Sequence, residues 1–443
     1  MVSRRHALTL LGSTATVGLS GCLFGGIGGG DAGPPPTVSN RRVEATGSVP
    51  QYQVDAANTG RLPETLPVEP SVAWRRTPNR YDAAQPVVGG DAVYVAFDGN
   101  LVKLTLDDGD EAWTVDAGHD SVSAPAVNDG VVYLTVWNGG ASVPRGLVAV
   151  DAAEGTERWR ALTDNDLNAS PTPTDDAVFV GGGHENSEVA AVEHDGTVRW
   201  RRDLGVYAAA PAVVDGRAIY ATGESGSVVA LDAETGETVW EQSVDGRTTA
   251  APAVVGESVV VADETGTVRR LDVTTGEERW HATVDGRIDH SVAVDSAESR
   301  SAGSEASGTP RAAGEAGDSE GHGPSGSRPK TDDNRTQSDD DDHLVVAHED
   351  GVVSLALEDG EKRWISGLGG DPTAPILTDD GVLVGAGRSV VALARSDGTE
   401  RWRIETRERN YTDVLLSGVT GSPVVVDGAV LVATQAGDVY ALN

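Results

Sequence analysis

The chain has 443 residues, 38% of them hydrophobic, enough to bury a large core and more than one ordinary domain needs. Its 69 acidic residues against 34 basic ones give a formal net charge of -35, which repels phosphate backbones and argues against nucleic acid as a partner. Only Lys103, Lys330 and Lys362 are lysines. Abundant Asp and Glu with scarce Lys suits molar salt, where a Debye length of about 3 Å screens self-repulsion.

In chain order, the first element is a leader. Ser3-Arg4-Arg5-His6 precedes a short apolar run, and Leu19-Ser20-Gly21-Cys22 follows it. The run is too short to span a bilayer, which takes roughly 20 helical residues. This arrangement resembles a twin-arginine export signal (residues 1–21, with Arg4 and Arg5 as its pair) ending in a lipobox. The resemblance implies that Cys22 receives a lipid and anchors the mature chain to the outer face of the cell membrane. It also implies cargo that crosses already folded. Cys22 is the only cysteine, so the chain can form no internal disulfide. Residues 22–50, rich in Gly, Pro, Ser and Thr, read as a flexible tether.

From there a repeat takes over. Trp74, Trp113, Trp159, Trp200, Trp240, Trp280, Trp364 and Trp402 share a register, with gaps of 39, 46, 41, 40, 40, 84 and 38 residues. Trp137 alone lies outside it. One unit reads as a strand over 250–255, a turn, a strand over 258–262, a turn, a strand over 267–272, a turn at Thr275-Gly276, and a strand beginning near Glu277. Four short β-branched strands joined by Gly and Asp turns make a propeller blade. The predicted fold is all-β: an eight-bladed β-propeller of four-stranded antiparallel blades. The last unit stops at Asn443 without an outer strand, while Val72-Ala73-Trp74 is an outer strand without a blade. Joining them closes the ring and removes an aggregation-prone edge.

The 84-residue gap holds an acidic, Ser- and Gly-rich insert over 296–342, between the first and second strands of blade six. It replaces a hairpin turn at small entropic cost and reads as disordered.

The pattern of "APAV", "ALD", "TG" and "W" resembles the pyrroloquinoline-quinone-type (PQQ) propeller repeat over residues 51–443. Val54-Asp55-Ala56-Ala57-Asn58-Thr59-Gly60 is also similar to a segment that precedes the first blade in that family. The resemblance implies either a quinoprotein dehydrogenase with PQQ and calcium on the axis, or a non-catalytic lipoprotein like the outer-membrane assembly factor. The adjacent cysteine pair of the dehydrogenases and a Cys-x-x-Cys-His haem motif are both missing from the sequence. No bound cofactor, catalytic residue or metal ligand is therefore expected. PQQ with calcium belongs to the alternative, a divergent dehydrogenase or another enzyme with an axial site.

The loops that lead into each inner strand ring the channel mouth. They carry Asp82, His119, Asp166, Asn168, Tyr207, Arg247, Arg287, Asp289, His290, Asp371 and Tyr411. Blade six has Asp289-His290-Ser291 where its neighbours have Ala-Ala-Pro or Ala-Ser-Pro. Arg247, Arg287, Asp289, His290 and Tyr207 form the candidate site, for an anion or a carboxylate-bearing ligand. Trp137, on a longer loop of blade two, is a candidate protein contact. The expected role is an exported, membrane-anchored monomer that binds an extracellular protein or small ligand.

Overall fold

Short runs of Val, Ala, Leu and Ile between Gly- and Asp-bearing turns give strand after strand, and no helix among the described residues. The computed structural model describes residues 37–443 except 79, 119–122, 138–143, 184–187, 206, 224–225, 245, 249, 297–341 and 412–413. The export signal with Arg4, Arg5 and Cys22, the body of the acidic insert, and His119 all lie outside the described residues.

Eight four-stranded antiparallel sheets form the blades, seven of them ordered from inner to outer strand along the chain. Blade five is typical, with strands Ala253–Val255, Ser258–Ala262, Thr267–Asp272 and Glu278–Thr283. Only its first strand differs from the sequence reading, starting three residues later, because Ala250 and Ala251 belong to the loop that enters it. The core lies between blades. Each cluster of buried residues draws on adjacent sheets, as Val260, Val268, Val346 and Val353 do for blades five and six.

The tryptophans and the glycines of the repeat are two halves of one joint. Every outer strand carries a bulge just before its tryptophan: Ala230 faces Trp240 but Leu231 faces Thr238, which leaves Val239 unpaired and 46% exposed. The bulge turns the indole toward the next blade. There Trp240 Nε1 donates to the Val273 carbonyl at 3.0 Å, and Gly276 lies flat against the ring. Trp74, Trp113, Trp159, Trp200, Trp280 and Trp364 donate in the same way to Leu106, Ala152, His194, Ala233, Leu357 and Arg395, at 2.9–3.2 Å. Each of these also has a glycine of the following blade on its face.

The ring closes as its two ends require. Val72–Arg76 pairs antiparallel with Val439–Leu442 and supplies the outer strand of blade eight. Trp402 has no eighth turn to bond, because blade eight takes its outer strand from the start of the ring, and donates instead to the Pro67 carbonyl at 2.7 Å. Blade six is joined across its insert, with Ala293 opposite Val345 and Asp295 opposite His343.

The propeller body begins before residue 51, so the tether is shorter than its composition suggests. Ser39 and Arg41 donate to the carbonyls of Val72 and Ala73, and Val43 and Val49 are buried. The chain then circles the axis. The amides of Val88, Val127, Val213, Val254, Val294 and Leu377, one from each of six inner strands, donate at 2.6–2.8 Å to the carbonyls of Val49, Pro50, Ala56, Ala57, Thr59 and Gly60. Blade three is passed over for a plain reason: Pro173 occupies the equivalent position and has no N–H. Inner strands have a free edge facing the channel, and this segment satisfies it.

Candidate functional site

In such a blade the first and third turns open on one face, called lower here. The middle turn and the loops to the next inner strand open on the upper face. Residues 37–47 and 61–66 lie on the lower one. They bond the Asp107 carbonyl, the Asp427 carboxylate and the Asp380 carboxylate, all in lower-face turns. The axial segment rises from there until Tyr52 Oη donates to Ser291 Oγ at 2.9 Å near the upper end, with Ser291 Oγ also accepting from the Ala251 amide. Burial pushes the Tyr52 hydroxyl above its ordinary pKa, so it stays a neutral donor.

Above Tyr52 lies a cavity of about 280 Å³, bounded by Ser123, Asn168, Ser170, Tyr207 and the alanines at 208–210 and 251. Its lining carries no charge. Tyr207 has a left-handed backbone (φ 64°), an unusual state for a bulky residue, held by bonds from its amide to Gly183 and from Gly223 to its carbonyl. Arg247 stacks its guanidinium over the Tyr207 ring, 5.8 Å from the centroid, while Nη1 lies 3.5 Å from Glu264.

Four more of the expected mouth residues, Arg287, Asp289, His290 and Asp371, form a second, charged group on blades six and seven. Arg287 Nε donates to both Asp289 oxygens at 2.8 and 2.7 Å, and this carboxylate raises the guanidinium pKa. His290 is half-buried. Desolvation lowers its pKa while Asp371 and Asp289 act in the opposite direction. The structure thus brings Tyr207 and Arg247 together, and Arg287, Asp289, His290 and Asp371 together, but on different sectors of the mouth. The acid partners offset both arginines, which weakens the case for a free anion.

Asp166 is buried and paired with Arg145 at 2.5 Å, while Asp82 and Asp371 adopt left-handed loop conformations. Trp137 is half-buried at the end of its strand, next to loop residues outside the described set. Tyr411 lies in a two-stranded hairpin, Arg409–Tyr411 with Val414–Leu416, that belongs to no blade. The sequence reading missed both Tyr52 and this hairpin. Only the long span between Trp402 and Pro423 hinted at the hairpin.

A PQQ site needs a calcium held by converging carboxylates beside the axis. Among the described residues no group of three or more His, Cys, Asp or Glu side chains converges on one point. Tyr52 and neutral side chains bound the cavity at the upper end of the axis.

The family model described as outer membrane protein assembly factor BamB matches residues 68–185, 140–206, 185–317 and 319–443. No curated protein sequence matches the chain. Among solved structures, BamB from Moraxella catarrhalis is similar at 18% identity and TM-score 0.61, over 85% of this chain and 98% of that one. The quinohemoprotein alcohol dehydrogenase from Comamonas testosteroni is similar at 16% identity and TM-score 0.63, over 89% and 80%. The computationally designed Ika8 protein is similar at 15% identity and TM-score 0.62, over 84% and 98%. At such identities these likenesses speak for the fold alone.

Proposed function

This chain belongs to the family described as outer membrane protein assembly factor BamB, and from that premise we propose that it is an exported, lipid-anchored binding propeller. Its upper face would hold an extracellular protein or a small ligand. One observation carries the reading: residues 37–47 and 61–66 join the propeller on the lower face, and the segment between them closes the axis from that side. A tether running to a lipid on Cys22 therefore leaves the upper face, with its loops that vary from blade to blade, free for a partner. The twin-arginine pair Arg4-Arg5 and the lipobox support export, and the acidic, lysine-poor composition supports a salt-rich setting. Two measurements test this. Cys22→Ser should release the protein into the medium; retention in the membrane fraction counts against the anchor. Crosslinking on intact cells should capture a partner through upper-face positions such as Tyr207, and crosslinks confined to the lower face would overturn the assignment.

The alternative is a divergent quinoprotein dehydrogenase, favoured only by the shared fold. Incubation with PQQ and calcium, followed by gel filtration, decides it: stoichiometric quinone absorbance travelling with the protein would support the enzyme.

A further inference from the structure

The cavity above Tyr52 has an uncharged lining in a chain whose net charge is -35. Arg247, stacked on its Tyr207 wall, is already paired with Glu264. A charged guest would lose its hydration there and meet no counter-ion in the lining. The occupant that fits is neutral.

Its polar groups say more. Among the described residues Asn168 bonds to none, so its carboxamide offers donors and an acceptor to a guest. Ser170 is 6% exposed, and its Oγ accepts from the Ala124 amide at 2.8 Å, which leaves its own O–H to donate. Tyr52 Oη gives its proton to Ser291 and keeps a lone pair to accept with. Between these groups the wall is short and apolar, made by five alanines, Ala209 and Ala251 among them, and by Tyr207. A purely apolar guest would leave Asn168 and the Ser170 hydroxyl unpaired. A carbohydrate ring serves both kinds of wall, with hydroxyls at its edge and C–H groups on its faces. The volume, about 280 Å³, falls just under the roughly 300–1,000 Å³ of sites for drug-sized ligands, so it holds one ring.

We propose that this cavity binds a neutral monosaccharide, with Asn168 and Ser170 as its hydrogen-bonding contacts and Tyr52 as its floor. The inference deepens the upper-face binding reading above and rests on it.

Titration calorimetry on the full chain in molar potassium chloride tests it, with glucose, galactose and mannose as probes beside the amino and uronic-acid counterpart of each. A neutral sugar should bind in the millimolar range or tighter, and its charged counterparts at least about tenfold more weakly. Asn168→Ala should weaken binding about tenfold with an unchanged melting temperature, because this side chain holds no bond of the fold. Asn168→Asp keeps the shape and adds a charge, so it should bind the amino sugar ahead of the neutral one. No binding of any neutral sugar, equal affinity for the charged counterparts, or full affinity in Asn168→Ala each overturns the proposal. Crosslinking through Tyr207 reads the docking assignment separately. A captured partner without sugar binding removes the sugar alone, whereas crosslinks confined to the lower face without sugar binding remove both.

Discussion

Gly276 shows how much one position of the repeat controls. Its φ is 74°, and a Cβ there would lie 2.6 Å from the Trp240 ring. Gly216 has nearly the same φ, 72°, but nothing within 4 Å. Gly216→Ala should therefore cost about 1 kcal/mol for the left-handed backbone, and Gly276→Ala about 2–4 kcal/mol because the indole must also move. Denaturant unfolding of the two variants checks this, and equal costs would mean the ring contact contributes nothing. The turn before it is set by Asp272, which accepts from the amides of Thr274 and Thr275 and from Arg279. Together these hold its carboxyl down to about 2. His348 makes a different prediction. It is 5% exposed, neither ring nitrogen has a hydrogen bond, and burial lowers its pKa. The unfolded chain takes up its proton near pH 6.5, before the folded one does. Its neutral form thus favours folding fully above about pH 6.5, and that contribution is lost as pH falls below it. His348→Leu should flatten the decline in unfolding midpoint between pH 7 and 5; an unchanged slope would show that other groups set it.

At the level of elements, the strands and the closing seam were legible because alternation, turn residues and the tryptophan register are side-chain signals. The axial segment was not. Its bonds run from backbone amides of inner strands to backbone carbonyls, and such donors leave no mark in a sequence except where Pro173 removes one. The same holds for the mouth. Arg247 and Arg287 could be placed beside the channel from the repeat, but Glu264 and the stacking of Arg247 on Tyr207 depend on how neighbouring loops meet. A chain beginning at Glu64 keeps the closing strand but lacks the axial segment. In hydrogen exchange, the amides of Val127, Val213, Val254 and Val294 should be protected in the full chain and exchange at least tenfold faster in the shortened one. Equal protection in both would mean the inner edges find other partners. Trp74→Ala should lower stability by about 3–5 kcal/mol, since it empties the joint between the seam blade and blade one.

Over the whole molecule, charge sets the conditions under which the ring holds. The surface carries many arginine–carboxylate pairs, but exposed pairs contribute roughly 0–1 kcal/mol each and cannot offset a net charge of -35 in dilute buffer. Raising salt from 0.1 to 1 M shortens the Debye length from about 10 to about 3 Å and suppresses the repulsion more than it weakens close pairs. The melting temperature should rise steeply with potassium chloride over that range. A flat or falling curve would show that the acidic residues are too dispersed to repel.

The seam also dictates when the molecule can exist. Val72 pairs with Leu442, so the first strand of the ring waits until its distant partner has been made. At the roughly 5–20 residues per second of synthesis, that wait is about 20–70 s, spent with an unpaired apolar edge. Contacts so distant in sequence also make closure slow. A nonsense codon anywhere before blade eight yields an open arc whose two terminal blades expose their sides to other chains, and the cell receives a substrate for its proteases rather than a smaller propeller.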